Sequence, residues 1–289
     1  MIIIQKMQKR KMNYKAVFAD LDRTLLNGEG HISEFTKKTI EKLLKSGVDF
    51  VPCSGRSLMS FPKEIFEIRG IKHGVSSNGV SVDNLEEKKS LSYLVIPSDV
   101  PERVMKFLSG YDIEYEIFLD GQGYTPASYY ENPKNFDEVT FKVDYIKTCR
   151  IPVEDMKSFI LSHKSEIGSL DLILHPSDTT EVFEKLKAEF PEVYMTNSEA
   201  FLIEISNIEC GKHNGLLHYC RMTGILPEEV VAFGDGNNDL EMLKTAGLGI
   251  AEGNATESCK NAAARVVETN EDDGVAREVR RIFLGGCGG

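Results

Sequence analysis

The alternation of apolar runs and amphipathic segments near the start of the chain is the feature that most restricts its fold. An apolar run at 16–19 is followed by helical spacing of apolar residues over 33–46, and then by a second strand-like run over 48–52. Two strands joined through a helix form a parallel pair with a right-handed crossover. The sequence therefore predicts a parallel sheet whose strands end at one edge.

The rest of the chain shows two kinds of pattern. Strand and helix alternate again after Gly211, whereas the middle of the chain mixes hairpins with helices, which is typical of an α+β insertion. The predicted strands are 80–83, 90–96, 113–119, 170–174, 230–233, 248–251 and 265–267, with a further strand end at 74–79. The predicted helices are 58–68, 101–109, 153–165, 179–190, 214–222, 239–244 and 275–283.

These patterns predict an α/β fold with two domains. We expect a doubly wound, Rossmann-like parallel-sheet core formed by residues 12–83 and 195–284. An α+β domain of residues 84–194 would be inserted between the two parts of the core. Residues 1–11 and 285–289 are predicted to be flexible termini.

Composition excludes several classes of partner. The 289 residues carry a net charge of −11, which argues against a nucleic-acid surface but not against a small phosphorylated molecule. No run of about 18 apolar residues exists to cross a membrane, and the first residues lack the pattern of a signal peptide. The six cysteines show no Cys-x-x-Cys spacing and indicate reduced thiols. We therefore expect a cytoplasmic protein.

Acidic residues follow two of the predicted strands. Asp20 and Asp22 come directly after the run 16–19, and Asp235 comes directly after the run 230–233. Ligands of open α/β sheets bind beyond such strand ends, and close like charges favour a bound cation. Oxygen ligands of this kind suit Mg²⁺ better than zinc. The alternative is a pair of solvated turns that happen to be acidic.

Four motifs in this order resemble those of the haloacid dehalogenase superfamily. They are Asp-x-Asp-x-Thr at 20–24, Ser-Gly-Arg at 54–56, Lys212 at the start of a helix, and Gly-Asp-Gly-x-Asn-Asp at 234–239. The chain looks most similar to the Cof-type phosphatases, which insert an α+β cap of the C2B type between the second and third motifs. The resemblance covers nearly the whole chain, although the cap matches by position and size more than by motif.

The resemblance implies a role for each matching residue in phosphoryl transfer. Asp20 matches the nucleophile that forms an aspartyl-phosphate, and Asp22 matches the general acid/base. Ser54 matches a hydroxyl that hydrogen-bonds the transferring phosphoryl group with help from the Gly55 amide. Lys212 matches the cation that binds both the phosphate and Asp20.

The resemblance also implies a magnesium site. Asp235 matches a ligand that acts beside the Asp20 carboxylate and the Asp22 backbone carbonyl. Asn238 and Asp239 match groups that orient metal-bound water or Lys212, and Asn238 is also a candidate phosphate-binding residue. Each residue has an alternative role, since Ser54 could simply cap a helix and Lys212 could be an ordinary surface lysine.

Together these features predict a Mg²⁺-dependent phosphatase of small phosphorylated metabolites, including sugar phosphates. A phosphomutase is the alternative within the family. A non-catalytic receiver that keeps a phosphorylated aspartate is a third possibility, although Asp22 and the cap speak against it.

Three residues depart from the family pattern, and one loop could select the substrate. Arg23 stands where the family usually has Gly, Gly211 where Ser is common, and Glu252 where Met is usual. Aromatic residues of the loop 124–136 could contact the substrate, but packing of the cap is the favoured interpretation. They are Tyr124, Tyr129, Tyr130 and Phe136.

Overall fold

The computed structural model describes residues 13–133 and 141–285. The strands are β1 Ala16–Ala19, β2 Asp49–Pro52, β3 His73–Ser76, β4 Ser81–Asn84, β5 Lys89–Tyr93, β6 Glu114–Leu119, β7 Gln122–Pro126, β8 Arg150–Val153, β9 Ser169–Ile173, β10 Val193–Glu199, β11 Leu202–Asn207, β12 Val230–Gly234, β13 Leu248–Ala251 and β14 Arg265–Val266. The helices are α1 Glu34–Lys45, α2 Lys63–Glu67, α3 Val100–Phe107, α4 Ala127–Glu131, α5 Phe141–Cys149, α6 Met156–His163, α7 Pro176–Glu189, α8 Lys212–Thr223, α9 Leu240–Thr245, α10 Glu257–Ala262 and α11 Gly274–Phe283.

The core sheet is parallel and has five strands in the order β14-β13-β12-β1-β2. Alternate residues of β1 point to opposite faces, as the pleat of a strand requires. Val17 and Ala19 pack in one apolar cluster with residues of α1 and α11. Ala16 and Phe18 pack in a second cluster with residues of α8 and α9. Helices therefore cover both faces, which confirms the doubly wound α/β fold.

A second, mixed sheet of six strands has the order β10-β11-β9-β6-β7-β8. One face packs on α3, α6 and α7 through an apolar core. A third sheet, β3-β4-β5, is antiparallel and meets the core sheet through a bridge between Cys53 and Val75.

Strand pairing places the borders of the inserted domain differently from the prediction. β5 pairs with β4 in the antiparallel sheet beside the core, although the insertion was predicted to begin at 84. β10 and β11 pair with β9 in the six-stranded sheet, although residues from 195 onward were assigned to the core. We therefore propose that the cap domain comprises residues 96–207.

Several predicted elements also differ locally. The single helix predicted at 58–68 is wrong, because Pro62 separates a short helical turn, Leu58–Ser60, from α2. Strands β7, β8, β10 and β11 were not predicted. Of the predicted flexible termini, residues 1–11 and 286–289 lie outside the described residues, and Gly285 is exposed.

Across the described ranges, none of the helices combines the length and the apolar character that crossing a bilayer would require.

Candidate active site

Three loops meet at the C-terminal edge of the core sheet. Ala19 pairs with Phe233 of β12 and with Pro52 of β2, so these three strands end side by side. The loops that follow carry Asp20, Asp235 and Ser54, and all three residues line one cavity. The structure therefore brings together side chains that lie far apart in the sequence, with Asp20 and Asp235 more than 200 positions apart.

A tight turn, Leu21–Leu25, fixes Asp20 at the end of β1. The Leu25 amide donates to the Asp20 carbonyl at 3.2 Å, and the Leu26 amide donates to the Leu21 carbonyl at 2.8 Å. The Thr24 hydroxyl donates to Asp235 Oδ1 at 3.3 Å. The turn thus ties the first acidic loop to the second.

Lys212 connects the two acidic loops through its charge. Its ammonium donates to Asp20 Oδ1 and to Asp239 Oδ1, each at 2.6 Å, and the side chain is fully buried. Burial alone would lower the pKa of Lys212, but the two carboxylates outweigh this effect and raise that pKa. Lys212 therefore remains a cation beside Asp20, which excludes the surface-lysine alternative.

Three carboxylates at this edge are arranged as a metal site would require. Oxygens of Asp20, Asp235 and Asp239 lie within 4.8 Å of one another. Asp239 has both oxygens engaged, since Oδ1 accepts from Lys212 and Oδ2 accepts from the amides of Asp235 and Gly236 at 3.0 Å. Asp20 and Asp235 are therefore the carboxylates that fit a divalent cation, while Asp239 holds the loop in shape.

The electrostatics of these carboxylates also fit a bound cation. Burial, with a further contribution from Asp239, raises the pKa of Asp235 to about 6. Burial and neighbouring carboxylates likewise raise the pKa of Asp20, and Lys212 opposes them. A divalent cation would relieve this repulsion, and oxygen donors are what Mg²⁺ prefers.

The Asp22 carboxylate lines the same cavity but is not part of this cluster. It accepts two hydrogen bonds from the Arg56 guanidinium, at 2.9 Å from Nε and 2.6 Å from Nη2. The guanidinium also lies over the ring of Tyr145, 4.8 Å from its centroid. The sequence analysis assigned no role to Arg56, although the residue belongs to the quoted Ser-Gly-Arg motif.

Ser54, Gly55 and Asn238 line the same cavity. The Ser54 hydroxyl accepts from the Arg56 amide at 3.1 Å, so it also supports the local turn. Asn238 donates to Asn78 Oδ1 at 3.0 Å, and Asn78 donates to Glu204 Oε1 of the cap at 2.9 Å. Asn78 therefore connects the core loop to the cap, a role that the sequence analysis left unassigned.

The cavity has a volume of about 290 Å³ and lies between the core edge and the cap sheet. Tyr129 lines it, whereas Tyr124 packs with Phe159 and Tyr130 donates to the Lys147 carbonyl at 3.2 Å. The prediction for Phe136 falls outside the described residues. Three cap carboxylates that line the cavity, Glu116, Asp171 and Glu204, were not predicted from the sequence. Each is an acidic residue within an otherwise largely apolar strand, which is the signal that could have found them.

Comparisons with known proteins identify the family to which this chain belongs. A model of the haloacid dehalogenase-like hydrolases matches residues 17–279. YcsE of Bacillus subtilis (strain 168), a 5-amino-6-(5-phospho-D-ribitylamino)uracil phosphatase, is 26% identical over 281 residues, which cover 96% of this chain and 99% of the relative. The phosphatase YwpJ of the same organism is 26% identical over 294 residues, covering 93% and 100%. A haloacid dehalogenase-like hydrolase from Bacteroides thetaiotaomicron has a TM-score of 0.78 at 26% identity, covering 93% and 100%.

An open parallel sheet with carboxylates at its C-terminal edge and an inserted domain over them defines a capped α/β protein whose ligands bind at that edge. The chain belongs to the haloacid dehalogenase-like hydrolases, and within them it is a Cof-type phosphatase with an α+β cap. The resemblance drawn from the motifs is confirmed.

Proposed function

We propose that this enzyme is a Mg²⁺-dependent phosphatase that forms an aspartyl-phosphate on Asp20, with sugar phosphates among its substrates. The observation that carries the proposal is the position of Asp20. Its carboxylate lies at a strand end, lines the cavity, and is held by Lys212 at 2.6 Å. A carboxylate that is fixed and stays next to a cation is suited to attack a phosphoryl group.

The cavity supports a small, polar substrate. Its volume of about 290 Å³ is at the lower end of the range for ligand pockets. The phosphate would lie at the core edge, where Ser54, the Gly55 amide and Lys212 supply hydrogen-bond donors. The rest of the substrate would lie against the cap.

In the first step, an Asp20 oxygen bonds to phosphorus as the bond to the leaving alcohol breaks, and Asp22 donates a proton to the alcohol oxygen. In the second step, Asp22 takes a proton from water, whose oxygen attacks phosphorus and releases Asp20. Asp22 is half exposed beside Arg56, so it can reach both the cavity and solvent. Asp20, Asp235 and the Asp22 carbonyl would hold Mg²⁺, which neutralises charge on the phosphoryl oxygens.

The test is the variant Asp20→Asn. We expect it to lose at least about a thousandfold in release of inorganic phosphate from p-nitrophenyl phosphate, because an amide cannot serve as the nucleophile. Its thermal midpoint should show that it remains folded. Asp99→Asn, an exposed change at the start of α3, is the matched control and should retain the wild-type rate.

Wild-type turnover by Asp20→Asn would refute the nucleophile assignment. If the phosphoryl group remains on the sugar and is not released as inorganic phosphate, the result would favour the phosphomutase alternative. A phosphorylated enzyme that survives for hours would favour the receiver.

A further inference from the structure

Three carboxylates stand side by side on the face of the cap sheet that lines the cavity. Glu204 of β11 pairs with Asp171 of β9, and Asp171 pairs with Glu116 of β6. All three residues line the cavity, and their exposures are only 7%, 6% and 3%. We call these three residues the acidic row. Acidic residues directly opposite one another destabilise a sheet, so the row needs a compensating interaction.

Each carboxylate of the acidic row accepts from a donor of the protein. Arg150 Nε donates to Glu116 Oε2 at 3.0 Å, and the Ser169 hydroxyl donates to Asp171 Oδ1 at 2.7 Å. Asn78 donates to Glu204, as described above. Glu116 Oε1, however, is buried and has no hydrogen-bond partner within the described part of the chain. A buried oxygen in that state costs about 1–3 kcal/mol, so a donor supplied by a ligand would be stabilising.

The charge on this wall of the cavity favours a cation. Among the described residues that line the cap side, Glu116, Asp171, Glu199 and Glu204 are acidic and Arg150 is basic. Burial, with contributions from Glu204 and Glu116, raises the pKa of Asp171, whereas Arg150 and a hydrogen bond from Ser169 lower it. A ligand with a second anionic group would be repelled here, and a hydroxyl group would supply donors without supplying charge.

The cation that fits is part of an organic molecule and is not a second metal ion. In the described ranges, the group of three carboxylates whose oxygens are close enough together to share one ion is Asp20, Asp235 and Asp239, at the edge of the core sheet. The acidic row spreads its oxygens along three strands. An ammonium group on a substrate whose phosphate lies at the core edge would carry three donors and a positive charge to this wall.

We propose that the acidic row binds an ammonium group of the substrate, so that the enzyme prefers phosphate monoesters bearing an amine, such as amino sugar phosphates. This inference rests on the proposed phosphatase function and specifies its substrate class. Asp171 and Glu116 act as specificity residues, and Arg150 orients Glu116.

The test compares three phosphates of similar size. Release of inorganic phosphate by the wild-type enzyme with Mg²⁺ is measured for glucosamine 6-phosphate, glucose 6-phosphate and 6-phosphogluconate. We expect kcat/KM for the amino sugar to exceed that for glucose 6-phosphate by about tenfold or more, the size of one charge-assisted hydrogen bond, and the anionic compound to be the poorest. Glucose 6-phosphate hydrolysed as well as the amino sugar would overturn the proposal.

Variants locate the preference in the acidic row. Asp171→Asn and Glu116→Gln each replace a carboxyl group that could pair with an ammonium by an amide of similar shape, and each should lower the ratio of amino sugar to glucose kcat/KM by about tenfold, mainly through KM. Glu181→Gln makes the same replacement on the exposed side of α7, on the other face of the cap sheet, and should keep the wild-type ratio. An unchanged ratio in the folded acidic-row variants would refute the inference, and Glu116→Gln serves if Asp171→Asn fails to fold.

Hydrolysis of p-nitrophenyl phosphate separates the two proposals. This compound has a phosphate but no amine. If the wild-type enzyme hydrolyses it without preferring the amino sugar, the ammonium inference fails and the phosphatase function stands. If the enzyme hydrolyses none of these phosphates, the proposed function itself fails.

Discussion

Arg23 adopts a left-handed backbone conformation, with φ at 59°. A side chain in this region costs about 1 kcal/mol or more, which gives a physical reason for glycine at the position that directly follows Asp22. The Arg23 side chain is mostly exposed, but its Nε lies 3.5 Å from Asp235 Oδ2. This chain therefore accepts backbone strain and places a cation next to a proposed magnesium ligand.

Replacing Arg23 with glycine should strengthen magnesium binding. In Arg23→Gly, the loss of a positive charge near Asp235 should lower the half-saturating Mg²⁺ concentration by about two- to fivefold, a small effect because solvent screens the exposed pair. Activity measured against Mg²⁺ concentration gives the result. Arg23→Lys keeps the charge and should stay close to wild type, so equal magnesium dependence in all three proteins would contradict the prediction.

At the scale of single residues, motifs in the sequence predicted candidate site residues. Residues that act through a neighbour, such as Arg56, could not be predicted in this way. Asp20, Ser54 and Asp235 could be found because each follows an apolar strand run. The two hydrogen bonds from Arg56 to Asp22 could not be predicted, because a guanidinium offers the same donors to any carboxylate that the fold brings within reach.

At the scale of elements, the turn Ser77–Gly79 after β3 sets the start of α8. The Gly211 amide donates to the Asn78 carbonyl at 2.7 Å, one residue before Lys212. Gly79 has φ at 89°, and a Cβ atom there would lie 2.4 Å from the Gly211 carbonyl oxygen. The position of Lys212 therefore depends on a close approach that only glycine at position 79 allows.

The variant Gly79→Ala tests this dependence. We expect a loss of about 2–5 kcal/mol in the free energy of unfolding, since backbone strain and a clash with main-chain atoms add together. Phosphatase activity should also fall as Lys212 shifts. Gly224→Ala is the matched control, because Gly224 has φ at 75° but nothing within 4 Å of a Cβ atom, and it should lose only about 1 kcal/mol. Denaturant unfolding measures both, and equal losses would rule out the contact.

Elements of the core could be predicted from the sequence better than those of the cap. β1 and β12 are continuous apolar runs buried on both faces, and such runs stand out in a sequence. β7 contains Gly and Pro, and β10 is largely polar, so neither shows the usual strand pattern. Their pairing comes from tertiary contacts, which is why the sequence led us to end the cap at 194, whereas we propose from the strand pairing that it ends at 207.

For the whole molecule, the number of buried carboxyl groups determines how stability varies with pH. The net charge could be read from the sequence, but the burial of Glu252 could not. Glu252 is fully buried behind Asp235, and within the described ranges neither of its carboxyl oxygens has a hydrogen-bond partner. Burial, with contributions from Asp235 and Glu268, raises the pKa of Glu252 to about 9. The folded protein therefore holds this proton at neutral pH.

This raised pKa makes the folded protein less stable as pH rises. Between the ordinary pKa of a glutamate and about 9, the native state binds a proton that the unfolded chain has lost, so the stabilising contribution is complete at acid pH and disappears as pH passes through about 9. We expect the metal-free protein to lose a few kcal/mol of unfolding free energy between pH 6.5 and pH 9.5, and Glu252→Gln, which mimics the protonated form, to lose clearly less. Denaturant unfolding in EDTA measures the difference. Glu257→Gln, an exposed change on α10, should follow the wild type, and the same slope in Glu252→Gln would show that Glu252 is already ionised at neutral pH.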